Sequence, residues 1–286
     1  MYNIAMNHLI TITKSDGTKQ LFEEEKLVSS LKRVGASGEI IDDVVEEIGR
    51  EIHDGMSTTE IYRRAFDLLR KHSSKVAAKY SIRRAMIELG PDGFPFEKFV
   101  ARLFKMWGYE SITDQVVIGR CVDHEVDVVA WKGEDLAMVE AKYHNEFGLK
   151  SDLKVSLYVK ARYEDIAEND YDYGGKKRKL SERWLITNTK FTDKAIQYSE
   201  CNKMKLLGWN YPEKGNLHDL ISENSLHPIA CLSTLSREQK RELASRNILV
   251  CMDLVGNPSV LKELGVKMDD QEKVLTEAQI VIEQAK

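Results

Sequence analysis

The spacing of apolar residues changes period several times along the chain, and each change predicts an element. His8 to Lys14 alternates apolar and polar, Asp16-Gly17 is a strong turn signal, and Thr18 to Phe22 resumes an extended pattern. This predicts a small β-hairpin. Glu23 to Val34 then carries Leu27, Val28 and Leu31 at helical spacing, and Glu39 to His53 carries Ile40, Val44, Val45, Ile48 and Ile52. Both read as amphipathic helices. Gly55-Met56 breaks the pattern, Ser57-Thr58-Thr59-Glu60 reads as a capping box opening a third helix through Leu69, and a fourth runs from about Ser74 to Leu89.

Pro91-Asp92-Gly93-Phe94-Pro95 stops that helix and marks a boundary. Phe96 to Trp107 follows as a helix, Val116 to Ile118 as a strand, and two apolar runs, Val126 to Trp131 and Leu136 to Ala141, flank the turn Lys132-Gly133-Glu134-Asp135. The pair predicts a second hairpin. A helix from about Lys150 through Ile166, a polar loop over Asn169 to Lys179, a buried strand over Trp184 to Asn188 and a helix from Thr192 to Met204 complete this part. From His227-Pro228 onward, Ser236 to Ser245, Pro258 to Leu264 and Asp269 to Gln284 predict a compact helical tail. The expected fold is therefore α+β and α/β multidomain. Residues 1–90 form a hairpin with helices, 91–221 a mixed sheet flanked by helices, and 222–286 a small helical domain.

Charge narrows the partners. The three segments carry net charges of 0, −2 and −2, so a nucleic acid must be held by local patches and bridging metal rather than by a uniformly positive field. No run of eighteen apolar residues exists, which excludes an apolar spanning helix. The first residues lack a basic stretch followed by an apolar run, so a cytoplasmic protein is expected. Cys121, Cys201, Cys231 and Cys251 form no C-x-x-C pair and are expected as reduced thiols.

The second hairpin carries the chemistry. Glu140 and Lys142 are alternate residues on one strand and share a face, and antiparallel pairing brings Asp127 back beside them. Two carboxylates and an ammonium at one point suit metal-assisted hydrolysis of a phosphodiester; a cross-strand salt bridge is the plain alternative. The stretch resembles the core of the PD-(D/E)xK nuclease superfamily, whose motif is an Asp followed by Glu-x-Lys on the next strand. Phe96-Glu97-Lys98-Phe99, Gly108-Tyr109, Val139-Glu140-Ala141-Lys142 and Trp184-Leu185-Ile186-Thr187-Asn188 together resemble its Mrr-type branch of restriction-like endonucleases. The resemblance implies Mg²⁺ or Mn²⁺ held by Asp127 and Glu140, Lys142 helping to activate water, and Glu97 as an additional carboxylate of the metal cluster. Where that branch often has glycine two residues before the Asp, this chain has Glu125, read as an exposed strand residue.

Residues 8–90, with Ile12-Thr13-Lys14-Ser15-Asp16-Gly17 in the hairpin, resemble the ATP-cone, a regulatory nucleotide-binding module. The resemblance implies that ATP or dATP contacts Lys14, Lys26 and Thr58, with Tyr62 as a further candidate. Ser15 stands where the module usually has arginine, removing one phosphate-pairing guanidinium. In the polar loop, the four successive cations Lys176, Lys177, Arg178 and Lys179 are candidates for gripping a DNA backbone, a solvated charge run being the alternative. Leu261 to Val266 faintly resembles a helix-hairpin-helix turn, so the tail is expected to bind DNA or to mediate assembly. The combined expectation is a metal-dependent DNA endonuclease, homo-oligomeric and under nucleotide control. The alternative is a nucleotide-responsive DNA-binding regulator without cleavage activity.

Overall fold

The computed structural model describes residues 10–14, 17–90, 92–146 and 148–283. His8, Leu9, Asp16, Pro91 and Gln284, each used in a sequence expectation, lie outside the described residues, as does Ser15. The first hairpin pairs β1 (Thr11–Thr13) with β2 (Lys19–Leu21). Four helices follow: α1 (Glu24–Arg33), α2 (Gly38–Glu51), α3 (Thr58–His72) and α4 (Ser74–Ile87). The capping box forms as expected: the Glu60 N–H donates to Ser57 Oγ at 3.1 Å, and the Ser57 N–H donates to Glu60 Oε2 at 2.9 Å. Apolar faces of α1, α2 and α3 close on Ile12 and Phe22 to make one core.

The central layer is a five-stranded sheet of order β11-β9-β5-β4-β3. Its strands are β3 (Glu110–Ile118), β4 (Asp123–Lys132), β5 (Asp135–Lys142), β9 (Glu182–Thr187) and β11 (Lys205–Leu207). β3, β4 and β5 run antiparallel in sequence, whereas β9 lies parallel to both β5 and β11. β5 is central, and Leu136 to Val139 are all fully buried. A strand covered on both faces reads as a continuous apolar run. Helix α5 (Phe94–Met106) covers one face; α6 (Leu153–Ile166) and α7 (Asp193–Cys201) cover the other.

Three expectations change here. Strand β3 begins at Glu110 rather than Val116, because its first half buries the polar Ser111 and exposes its single apolar residue, Ile112, and so shows no apolar alternation. Residues Lys150–Ser151 form a short strand β6 paired in parallel with β10 (Lys190–Phe191), so the helix after it opens only at Leu153, capped by Asp152. The predicted polar loop is instead a hairpin of β7 (Asp170–Tyr173) and β8 (Lys176–Lys179), turning at Gly174-Gly175. Both glycines have positive φ, which admits the tight turn.

The tail contains α8 (Leu217–Glu223), α9 (Arg237–Ser245), α10 (Cys251–Gly256), α11 (Ser259–Glu263) and α12 (Met268–Ile282). α8 and α10 are too short to show periodicity in sequence. Helix α4 serves two cores. Val76 and Ala77 face the first helices, whereas Ile82, Ala85 and Met86 join α5, the sheet and the start of the tail. Its neighbours cover more than one side, so it lacks the clean polar face of α3. The first helices and the sheet are thereby joined through a shared hydrophobic element. No helix among the described residues is long and apolar enough to cross a membrane.

Candidate active site

Strands β4 and β5 stay paired as far as Val128↔Val139 and then part. Continuing that register sets Asp127 opposite Glu140. At the fork Asp127 replaces the missing ladder bond with its side chain, Oδ2 accepting from the Ala141 N–H at 2.6 Å. Across the other edge, β3 pairs at Thr113↔Val128 and Gln115↔Val126 but not at Asp114, whose φ is 54°. Left-handed backbone in a strand is costly for a non-glycine residue. The alternation slips here: Val126 joins the core of Val129, while Val128 and Ala130 join the opposite one.

Carboxylates crowd at this point, because register sets Asp114 and Glu140 on either side of Asp127. Burial raises the Asp127 carboxyl to about 7, with the Glu140 charge adding to the effect and the Ala141 N–H and Arg162 opposing it. Glu97, in the first turn of α5, is raised to about 8 by burial and by repulsion from Asp127, Asp114 and Glu125, and it shares a hydrogen bond with Asp114. Both groups therefore hold protons near neutrality, since adjacent half-desolvated carboxylates cannot all ionise together.

Glu140 has found a cation within the protein. Its Oε2 accepts from Arg162 Nη1 of α6, and both side chains are nearly buried, at 14% and 11% exposure. Arg162 Nη2 donates to the Tyr158 hydroxyl at 2.6 Å, and the guanidinium lies over the Tyr158 ring. Lys142 is exposed at the end of β5, alternate to Glu140 on the same strand. Its charge, after burial, is the second cause holding the nearby His144 imidazole below its ordinary value. Asp127 thus adjoins Glu140 at the fork and interacts with Glu97 across the site, with Lys142 exposed at the strand end.

The cations proposed for DNA lie otherwise than expected. Arg178 is buried, and its guanidinium donates to the carbonyls of Gly133, Tyr173 and Lys176; Lys176 is ion-paired with Glu134. Arg178 therefore locks β8 to the β4–β5 turn and is not presented to a ligand; Lys177 and Lys179 remain exposed. Cationic side chains do line a cleft of about 1040 Å³ between α5, β3 and the tail, namely Lys98, Arg102 and Lys105. Sequence reasoning passed over them because they are scattered at helical spacing. It also passed over Asp114, in the polar half of β3, and Arg162, one turn beyond Tyr158 on α6. The i, i+4 spacing of Tyr158 and Arg162 was the available signal.

In the N-terminal part, Lys14, Lys26, Thr58 and Tyr62 all line one cavity of about 580 Å³. Tyr62 stacks on Tyr80 of α4, with centroids 4.9 Å apart, and donates its hydroxyl proton to the Tyr80 carbonyl at 3.0 Å.

Comparison with known proteins agrees with the order of domains. Residues 10–86 match the ATP cone domain, 91–210 a restriction endonuclease domain, and 227–282 the AF1548-like C-terminal domain. An uncharacterized protein of Archaeoglobus fulgidus is 34% identical over 184 residues, which span 64% of this chain and 99% of that protein. The chain belongs to the AF1548-like family. The crystal structure of AF1548, a protein of unknown function, superimposes with a TM-score of 0.56 at 33% identity, covering 67% of this chain and 99% of that one. The present family member thus joins an ATP cone and a restriction-endonuclease domain in one chain, as the hairpin and the Asp, Glu-x-Lys motif implied.

Proposed function

We propose that the chain is a divalent-metal-dependent DNA endonuclease whose activity responds to ATP or dATP bound at the cone. The observation that carries this reading is the carboxylate cluster at the β4–β5 fork, where Asp127 and Glu140 adjoin with Glu97 beside them and Lys142 one step along the strand.

The donor set fits a hard cation. Oxygen ligands of this type suit Mg²⁺ or Mn²⁺, and Asp127 and Glu97 are raised first by burial and then by neighbouring carboxylates, a cost that a bound cation would offset. Arg162 supplies part of that compensation. Among the described residues, no group of three or more His, Cys, Asp or Glu side chains is placed to hold a metal ion, so two protein carboxylates are the set proposed. Asp127 and Glu140 would hold the ion, with Glu97 as an additional carboxylate. Such an ion supplies Lewis acidity toward a phosphodiester oxygen.

The protein's own groups have separate tasks. Lys142 offsets charge on the phosphate and orients the attacking water. Glu97, protonated up to about pH 8, would exchange a proton at the site. In the cleft, Lys98 and Lys105 take the flanking phosphates, a role suited to backbone positioning without base reading, while Arg102 is paired with Asp253.

A second reading, DNA binding without cleavage, draws on the Arg162–Glu140 pair, which engages one of the motif carboxylates. Incubating the full chain with plasmid and linear DNA and Mg²⁺, with and without ATP or dATP, separates the two. Mg²⁺-dependent cleavage altered by nucleotide is expected. Binding without cleavage under every condition selects the second reading. In the same assay, Lys98→Glu with Lys105→Glu is expected to weaken DNA affinity and to lower the salt slope by roughly 2, one for each phosphate no longer neutralised.

A further inference from the structure

The cavity holding Lys14, Lys26, Thr58 and Tyr62 is not closed by the cone alone. Its remaining wall includes Arg83 of α4 and, from the restriction-endonuclease domain, Leu149, Lys150 and Lys190. Among the described residues, five cationic side chains therefore line one space, and no carboxylate does. Lys150 and Lys190 are also register partners across the two-residue parallel pairing of β6 and β10. Leu149, an exposed apolar side chain, supplies a surface suited to a base. The volume, about 580 Å³, lies within the range of small-molecule sites.

We propose that the nucleotide site is composite. Lys150 and Lys190 of the restriction-endonuclease domain bind the phosphates of an adenine nucleotide whose other contacts come from the cone. This rests on the reading of the cone as the nucleotide-binding module.

The same residues lead toward the carboxylate site. Ser151 follows Lys150, and its hydroxyl lies 3.2 Å from His144 Nε2. His144 is two residues beyond Lys142. Its N–H donates to Asn188 Oδ1 at 2.8 Å, and the Asn188 amide donates to the carbonyls of His144 at 2.8 Å and of Met86 on α4 at 3.3 Å. The Tyr143 hydroxyl donates to the carbonyls of Ile87 and Gly90. The backbone following Lys142 is thus held by α4 on one side and by the lysine-bearing strands on the other. A ligand that draws Lys150 and Lys190 toward the cone acts on a segment already tied to Lys142.

Calorimetric titration of the full chain with ATP and with dATP tests this, using Lys150→Gln, Lys190→Gln, Lys14→Gln and the remote Lys262→Gln. Each of the first two is expected to weaken binding about tenfold and the double variant about a hundredfold, the scale of charge-assisted bonds to phosphate. Lys262→Gln binds as the parent does, and thermal unfolding of all four is unchanged. If Lys14→Gln weakens binding while Lys150→Gln and Lys190→Gln do not, the site belongs to the cone alone and the composite site is overturned. It is overturned as well if Lys262→Gln loses as much affinity as Lys150→Gln, since only net charge then matters. If the parent protein binds neither nucleotide, both the composite site and the nucleotide part of the proposed function fail.

Discussion

Asp127→Asn is expected to lower DNA cleavage by roughly 10³-fold or more, because losing a metal-binding carboxylate removes several kcal/mol of charge stabilisation. The same change is expected to stabilise the metal-free protein. The Asp127 carboxyl is raised to about 7 from an ordinary 3.8. A carboxyl raised on folding makes the folded state bind more protons than the unfolded one, so stability falls as pH rises from about 4 to about 7. Above that window the full penalty is present, and a neutral amide removes it. Scanning calorimetry without metal should show the variant melting about 5 °C above wild type at pH 8, with the gap closing toward pH 4. Divalent-ion affinity of the wild type should rise between pH 6 and pH 9, as Asp127 and then Glu97, raised to about 8, release their protons. A variant that cleaves within tenfold of wild type, or melts lower at pH 8, contradicts this account of the fork.

The Asp, Glu-x-Lys trio was legible because strand periodicity is strict. Once Val126 to Trp131 and Leu136 to Ala141 are strands of one hairpin, the approach of Asp127 to Glu140 follows from register alone. The capping box at Ser57 was legible for the same reason, being local. What escaped depends on exceptions to periodicity or on distant contacts. Asp114 lies opposite Asp127 by register, but it escaped because the first half of β3 carries no apolar alternation to mark it as strand. Arg162 reaches Glu140 because α6 packs across β5, a tertiary event. For Lys176 to Lys179, a run of cations says nothing of which side chain turns inward; the β8 pleat turns Arg178 under the β4–β5 turn and leaves the three lysines exposed. Lys14, Lys26, Thr58 and Tyr62 were grouped by resemblance, and the cavity they line includes a wall from a segment more than a hundred residues away in sequence.

Arg162→Met is expected to destabilise the metal-free protein by about 3 kcal/mol, the cost of leaving one partner of a buried ion pair uncompensated. Glu140 is at 14% exposure and has Asp127 as its neighbour, so its charge would then face another carboxylate with no cation between them. The loss should appear as a fall of roughly 6–12 °C in melting temperature. Divalent metal should then do what the guanidinium did. Titrating Mg²⁺ or Mn²⁺ is expected to recover most of the loss, and the rise should exceed that of the wild type, where Arg162 already satisfies Glu140. Mn²⁺ should also bind the variant more tightly, because no guanidinium competes for Glu140 Oε2. Equal rises for both proteins would mean that Arg162 and the metal do not share a site. No rise for either would remove the metal from the proposed mechanism and leave the fork as a structural ion pair. A larger rise for Arg162→Met identifies Glu140 as the point where an internal cation holds the place of an external one. Activity would then depend on how readily Arg162 gives way.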